Sequence, residues 1–94
     1  MPATVADCSH GDPRFQPYCF SGAVKNYIDL TSHPDDGVKL CVAIAAGDNR
    51  SRCFQAVGEE ISVLYPTDAA MRQRECARTS GEDAKECVRG AGVP

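Results

Sequence analysis

Apolar residues recur at helical spacing along most of the chain. The segment from about Asn49 to Leu64 carries a stripe of apolar residues three or four positions apart: Cys53, Phe54, Val57, Ile61 and Leu64. Residues at this spacing lie on one face of an α-helix. The segment therefore predicts a long amphipathic helix with a buried inner side.

Three further segments also favour helices. From about Pro34 to Ala46, the residues predicted to share one face are Val38, Cys41, Val42 and Ala45. An earlier segment repeats the stripe with Phe20, Val24, Tyr27, Ile28 and Leu30. A later and more polar segment, expected to close one end of the structure, contains Ala69, Arg72, Gln73 and Cys76. The chain is therefore expected to be all-α.

Helix boundaries are marked by hydroxyl, glycine and acidic residues. Ser32, in the sequence SHPD, indicates a capping box, and Thr67 indicates a second helix start. Glycine often ends a helix, and acidic residues often begin one. Such a combination lies near the middle of each cysteine pair, at Gly11-Asp12, Gly47-Asp48 and Gly81-Glu82-Asp83. We therefore expect a turn between two helices inside each pair.

The cysteines repeat regularly, in the segments Cys19-FSGAV, Cys53-FQAVG and Cys87-VRGAG. The interval between these segments is about 34 residues, a period typical of helical repeat arrays. The sequence therefore predicts one small domain over residues 1–94, built as a short disulfide-stapled array of antiparallel helical hairpins. The expected repeats cover about 8–31, 32–65 and 66–94.

Six cysteines in 94 residues favour three disulfides and an oxidising compartment. In an antiparallel hairpin whose helices rise by about 1.5 Å per residue, the two cysteines of each close pair would lie at matching heights beside the turn. We therefore expect each disulfide to join the two helices of one hairpin, stabilising it by roughly 3 kcal/mol. The expected pairs are Cys8–Cys19, Cys41–Cys53 and Cys76–Cys87.

Two other uses of the cysteines stay open. Each close pair could lie on a single helix and be cross-linked to another motif, although the central glycines and Pro13 argue against this. The cysteines could instead bind a metal, but zinc ligands usually lie two to four residues apart, and the chain contains no Cys-x-x-Cys. We expect no metal and no cofactor.

Charge and hydropathy narrow the range of partners. The formal net charge is −3, and acidic and basic residues are interleaved, so neither nucleic acid nor an anionic membrane surface is expected as a partner. The longest apolar run, Leu40 to Ala46, is far shorter than the roughly 20 residues that span a bilayer, so we expect no membrane insertion. The start Met1-PATVAD lacks the basic and apolar regions of a signal peptide. The cysteines alone therefore support the expected periplasmic or secreted location.

Few residues suggest catalysis. Asp35 and Asp36 follow a helix start, where the helix dipole favours carboxylates. The neighbouring Ser9 and His10 do not gain the geometry of a nucleophile and base from adjacency alone. The remaining candidates are His33, Asp12 and Ser32. The chain has no phosphate-binding loop, no Gly-x-Ser-x-Gly and no His-Glu-x-x-His, so we expect no catalytic residue.

Arginines and tyrosines are the candidate surface residues. Arg50, Arg52, Arg72, Arg74 and Arg78 could form a basic strip, although Glu75 interrupts it and a solvated helix face is the simpler interpretation. Aromatic residues are enriched at the centres of interfaces. The candidate interface anchors are Tyr18, Tyr27 and Tyr65.

The period, the paired helices and the cysteine on each helix resemble the cysteine-rich branch of the Sel1-like and tetratricopeptide-like repeats of secreted bacterial proteins. The resemblance covers nearly the whole chain through period, helix pairing and cysteine placement, while Phe54-QAVG only faintly suggests the Leu-Gly and Tyr-x-x-Gly pattern of that repeat. It implies a binding or scaffolding role, with a protein or peptide held in a groove, and it transfers no catalytic residue.

Two functions from different classes follow. The first is a non-catalytic protein- or peptide-binding module with a groove lined by the first helices of the hairpins or by loops. The second is a small periplasmic inhibitor or immunity-type protein that binds one partner through an acidic surface such as Asp35 and Asp36. It predicts a single tight, salt-sensitive complex. An enzyme ranks third.

Overall fold

The structure, a computed structural model, describes residues 2–93, with side chains from residue 6 onward. Within this part of the chain there are six helices and no strands, which confirms the expected all-α class. The helices are α1 (Pro2–Ser9), α2 (Gln16–Thr31), α3 (Pro34–Val42), α4 (Asp48–Leu64), α5 (Ala69–Cys76) and α6 (Gly81–Ala91). In the described residues, none of the helices has the length and apolar content needed to cross a membrane.

The helices α2, α4 and α6 lie side by side and run in the same direction. Residues near the start of α2 contact residues near the start of α4, as in the hydrogen bond between Gln16 and Asn49. Further along the same two helices, Lys25 pairs with Glu59. The helices α4 and α6 are parallel for the same reason: Arg50 bonds to Asp83 near their starts, and Gln55 bonds to Glu86 further along. Each of these contacts joins residues that are far apart in sequence.

The short helix α3 runs back against α2 and α4. Gly37 packs directly on α2, since a Cβ added there would lie 2.8 Å from Cγ2 of Val24. The residues buried along α3 and just beyond it are Gly37, Leu40, Cys41 and Ile44. Of the four residues predicted to share the inner face, Cys41 is buried and Val38 packs against the core, whereas Val42 is 51% exposed and Ala45 is also exposed, so this half of the prediction was wrong.

The helix α3 ends at Val42, and the prediction that it continues to Ala46 was wrong. Residues 43–47 form a turn that closes at Gly47, whose φ of 145° is a conformation that favours glycine. The side chain of Ile44 reaches the core from this turn, with 6% of its surface exposed. The turn therefore contributes to the core as well as connecting two helices.

The core lies between the three parallel helices and the shorter ones. The predicted stripe of α4 is confirmed, with Cys53, Phe54, Val57 and Ile61 buried and Leu64 partly buried against them. In α2 the residues Phe20, Val24 and Ile28 are fully buried, as predicted. Leu30 was wrongly placed on this inner side, because 78% of its surface is exposed.

Two predicted helix caps are replaced by neighbouring residues. Ser32 adopts a left-handed conformation (φ 59°, ψ 19°) and ends α2, whereas His33 occupies the N-cap position of α3. Thr67 does not cap α5. Its neighbour Asp68 does so, with its carboxylate accepting a hydrogen bond from the backbone N–H of Met71 at 3.0 Å. Both predicted helices exist, but their caps lie one residue further along the chain.

Three disulfides each join a short helix to the next longer helix: Cys8–Cys19, Cys41–Cys53 and Cys76–Cys87. Their Cα–Cα distances are 5.5–5.6 Å, which is typical of disulfides. The six cysteines leave no free thiol. Cys19 is exposed, whereas the four cysteines of the second and third pairs have no exposed surface.

Candidate functional site

Two open grooves flank the turn formed by residues 43–47. The first groove, of about 450 Å³, lies between this turn and the start of α2. Its lining comprises Ser9, Pro13, Gln16, Pro17 and residues 43–49. The second groove, of about 430 Å³, lies on the other side of the turn, towards α6, and is lined by Ala46, Gly47, Arg50, Ser51, Glu82, Asp83 and Glu86.

The wall of the first groove is fixed by the side-chain amide of Gln16. Its Nε2 donates to the backbone carbonyl oxygens of Ser9 at 2.9 Å and Gly11 at 2.8 Å. Its Oε1 accepts from Nδ2 of Asn49 at 3.0 Å. One amide thus connects the end of α1, the following loop and the first turn of α4, so that three separate segments form one continuous surface.

The second groove is organised by Arg50. Its Nε and Nη2 donate to the two carboxylate oxygens of Asp83 at 3.1 and 2.7 Å, and its Nη1 donates to the carbonyl oxygen of Ile44 at 3.2 Å. The guanidinium also lies 5.7 Å from the ring centroid of Phe54. The hydrogen bonds to Asp83 raise the pKa of Arg50 above its usual value. Arg50 therefore holds the turn against α6.

The two grooves are separated only by small residues. Ala46 and Gly47 line both of them, and the space around the Cβ position of Gly47 is empty within 4 Å. The ridge between the grooves is consequently low. A ligand that crosses Gly47 can contact both grooves at once.

The combined lining is acidic. It contains the carboxylates of Asp48, Glu82, Asp83 and Glu86 and the guanidinium of Arg50, a formal charge of −3, which Lys85 beside Glu82 and Arg89 beside Glu86 partly offset. Glu86 is 7% exposed and accepts hydrogen bonds from Gln55 and Arg89. The surface therefore favours ligands that carry positive charge.

A second surface feature is an exposed face of α2, which we call the α2 stripe: Phe15, Tyr18, Gly22, Asn26 and Leu30. Phe15 and Tyr18 are 62% and 64% exposed. The guanidinium of Arg52 lies 5.7 Å from the ring centroid of Tyr18, and that of Arg14 lies 5.5 Å from the ring of Phe15. Large apolar side chains thus remain in water on a helix whose opposite face is buried.

The residues considered for catalysis do not form one constellation. Ser9 lines the first groove, whereas His10 is exposed and does not line it. The hydrogen bond from Gln16 goes to the backbone carbonyl of Ser9 and not to its hydroxyl. Asp12 bonds to Arg14 through both carboxylate oxygens, and these hydrogen bonds lower the pKa of Asp12. His33 and Ser32 are exposed at the junction of α2 and α3.

Most of the arginines considered for a basic strip are bonded within the molecule. Arg72 donates to the carbonyl oxygens of Tyr65 and Pro66, at 2.9 and 3.1 Å. Arg78 bonds to Asp35 at 2.7 Å and to Glu75 at 3.3 Å. Arg72 and Arg78 are therefore bonded within the molecule and do not form a continuous free strip.

The three tyrosines differ in their exposure. Tyr18 projects from the α2 stripe, whereas Tyr27 and Tyr65 are partly buried and pack against the core. Only Tyr18 therefore has the exposure expected of an interface anchor.

Sequence reasoning identified the turn at Gly47-Asp48 but not the grooves beside it. The lining of the second groove depends on contacts between distant parts of the chain, such as the pair Arg50 and Asp83, which are 33 positions apart. Within the side chains that the structure describes, no three histidine, cysteine or acidic residues are grouped in a way that could hold a metal ion.

No protein-family model matches the chain, and no match was found among curated proteins or solved structures.

Proposed function

We propose that this protein is a non-catalytic module that binds a protein or peptide segment in a periplasmic or secreted setting. The observation that carries this proposal is the pair of grooves on either side of Ala46 and Gly47. Their volumes, about 450 and 430 Å³, fall within the range of small ligand sites, roughly 300–1,000 Å³. A peptide crossing the low ridge would place neighbouring side chains in both.

The charge of the lining indicates the chemistry of the ligand. Four carboxylates and one guanidinium border the two grooves, and the guanidinium of Arg50 is already bonded to Asp83. A segment that carries lysine or arginine would complement this surface. Because some of these charges are solvent-exposed, added salt should weaken binding.

The disulfides support the proposed setting and a rigid site. Small proteins rich in disulfides are found mainly in oxidising compartments outside the cytoplasm. Each of the three cross-links holds a pair of adjoining helices, including the two helices that flank the turn of residues 43–47. A site on a rigid frame loses less conformational entropy when a ligand binds.

The alternative, an inhibitor that uses Asp35 and Asp36 as its acidic surface, receives less support. Asp35 bonds to Arg78 at 2.7 Å, and Asp36 lies 3.9 Å from Lys39. The positive partners reduce the charge that this surface offers to another protein. Three of the four groove carboxylates are also paired, with Arg50, Lys85 and Arg89, so the two surfaces differ in shape and not in free charge, and the grooves are favoured because they are concave.

A displayed library of random peptides tests the proposed function. We expect enrichment of peptides that contain lysine or arginine, and binding that weakens between low and high salt. The variant Ala46→Lys places a cation on the ridge shared by the two grooves and should weaken binding at least tenfold. The matched control Ala70→Lys adds the same charge at an exposed position on α5 and should bind as the parent does.

Two results would overturn the proposal. The first is a library from which no peptide is enriched over an unrelated disulfide-rich protein. The second is a set of enriched peptides that bind Ala46→Lys and the parent equally, because that result would place binding away from the grooves.

A further inference from the structure

The α2 stripe runs from the N-cap residue Phe15 to the last turn of α2. Its five members follow one another at intervals of three or four residues, so they share one face of α2. Three of them, Phe15, Tyr18 and Leu30, are large apolar residues with more than 60% of their surface exposed. Phe15 and Tyr18 lie together at one end of this face and Leu30 at the other, and such exposed apolar groups are candidates for an interaction surface.

Gly22 of α2 corresponds in position to Gly90 of α6. Gly22 follows Cys19 by three residues, just as Gly90 follows Cys87 in α6, and both cysteines are bonded to the preceding short helix. Gly90 packs against the backbone of Gln55 in α4, the long helix before its own. At Gly22 the same space is empty within 4 Å. Within the described chain, α2 thus presents a close-packing face that no helix covers.

The stripe is arranged symmetrically about Gly22. Phe15 lies seven residues before it and Leu30 eight residues after it, which is about 10–12 Å of helix in each direction. Two copies of α2 that crossed antiparallel at Gly22 would therefore bring Phe15 of each copy to Leu30 of the other. A contact of this kind uses the same surface on both copies and forms a dimer with a two-fold axis.

The charges beside the stripe fit the same arrangement. Arg52 lies over Tyr18 near one end of the stripe, and Asp29, which also hydrogen-bonds to Glu60, precedes Leu30 near the other end. Antiparallel pairing brings Arg52 of each copy towards Asp29 of the other. Parallel pairing would instead place the two Arg52 side chains together at one end.

We propose that two copies of this chain associate through the α2 stripe, with the two α2 helices antiparallel and crossing at Gly22. A single helix of 16 residues is about 24 Å long, so the contact is smaller than the roughly 800 Å² per partner of a standard interface. The dimer is therefore weak, with a dissociation constant in the micromolar range or above. It leaves the two grooves uncovered and does not depend on the proposed function.

Sedimentation equilibrium from about 10 µM to about 1 mM tests the association, since this interval covers weak dimers. We expect the parent to approach the mass of a dimer at the upper end. Gly22→Arg should remain monomeric with an unchanged circular dichroism spectrum, because its side chain enters empty space. The matched control Val42→Arg adds the same charge at another exposed apolar residue and should dimerise as the parent does.

A photoactivatable benzophenone at position 15 tests the geometry. In a mixture of isotopically light and heavy chains, the cross-link between copies should map to the region around Leu30. A parent that stays monomeric at the highest concentration, equal dimerisation of Gly22→Arg and the parent, or cross-links that map to α6 would each overturn the proposal. A cross-link to α6 would indicate head-to-tail association instead.

Discussion

Gly90 of α6 lies against the backbone of Gln55 in α4, so closely that a Cβ on Gly90 would come within 2.7 Å of the Gln55 carbonyl carbon. Gly58 of α4 packs equally closely on α6, since a Cβ on Gly58 would lie 2.7 Å from the backbone nitrogen of Ala91. Real side chains do not tolerate such distances to a backbone, so the two helices can approach this closely only because both residues are glycine.

Replacement of Gly90 by alanine should therefore destabilise the protein. The added methyl group must push α6 away from α4, and overpacking of this kind costs about 1–3 kcal/mol or more. The matched control is Gly22→Ala, which adds the same methyl group where nothing lies within 4 Å. It should stabilise the monomer by up to about 1 kcal/mol, because alanine favours helices more than glycine does. Urea unfolding at low protein concentration measures the stability of both variants. Equal changes in stability would contradict the close packing of α6 on α4.

The stability of the protein should fall as the pH rises from about 4.5 to about 7. Burial of Glu60, its hydrogen bond to Asp29 and the negative charge of Asp29 raise the pKa of Glu60 from 4.5 to about 7, while Lys25 opposes the shift. In this pH interval the folded state keeps a proton that the unfolded state has lost. Stability therefore decreases with pH, by up to about 3 kcal/mol in total, and the decrease is complete above pH 7.

The variant Glu60→Gln should remove most of this dependence. Glutamine resembles the protonated acid and can donate a hydrogen bond to Asp29 at every pH. Urea unfolding of the variant should consequently give a nearly flat profile between pH 5 and pH 8, with higher stability than the parent at pH 8. A parent and variant with parallel pH profiles would show that Glu60 does not titrate in this interval.

The disulfide Cys8–Cys19 should be the first to open under mild reduction. Cys19 is exposed, whereas Cys41, Cys53, Cys76 and Cys87 have no exposed surface, so a reductant reaches only the first pair without unfolding. Brief treatment with a phosphine, alkylation and peptide mapping should find label on Cys8 and Cys19 well before the other four. The same map without reduction should recover the three local pairs. Simultaneous labelling of all six cysteines, or disulfides that join different pairs, would contradict the structure.

Arg50→Lys should destabilise the contact between the turn of residues 43–47 and α6. Arginine bonds to both oxygens of Asp83 and to the carbonyl of Ile44, and lysine cannot reproduce this geometry. We expect a loss of about 1–2 kcal/mol, since the group is largely shielded from water.

The control for this substitution is Arg89→Lys, at a position that is 69% exposed and pairs with Glu86. The guanidinium of Arg89 is open to water and lysine keeps the positive charge beside the buried Glu86, so the variant should unfold within about 0.5 kcal/mol of the parent. If the two lysine variants unfold at the same urea concentration, the hydrogen bonds of Arg50 do not hold the turn.

The sequence predicted the inner face of α4 well, but in α3 it placed Cys41 and Val38 correctly and Val42 and Ala45 wrongly. In α4 the apolar residues form one stripe, so spacing alone identifies the buried side. In α3, two sets of residues one position apart share Cys41, and both have helical spacing. One set is Val38, Cys41, Val42 and Ala45, and the other is Gly37, Leu40, Cys41 and Ile44. The inner one was overlooked because it begins at Gly37, which has no side chain. Its packing against Val24 decides which stripe is buried, and that contact is absent from any local pattern.

The grooves could not be predicted for a similar reason. The turn between α3 and α4 was visible from Gly47, but the walls beside it depend on Gln16 and Asp83, each 33 positions from its partner in α4. The arginines illustrate the same point. Arg72 and Arg78 are surface residues by sequence, yet each bonds to a group that only the folded chain brings close.

The local cross-links also affect the order in which the chain can acquire its structure. The cysteines of each pair are 11 or 12 positions apart, whereas a longer stretch of chain separates one pair from the next. A chain that enters an oxidising compartment from its N-terminus therefore exposes both thiols of one pair before the next pair emerges. Oxidation during entry favours the native partners over the other combinations, and the first helices can be locked together while the last are still being delivered.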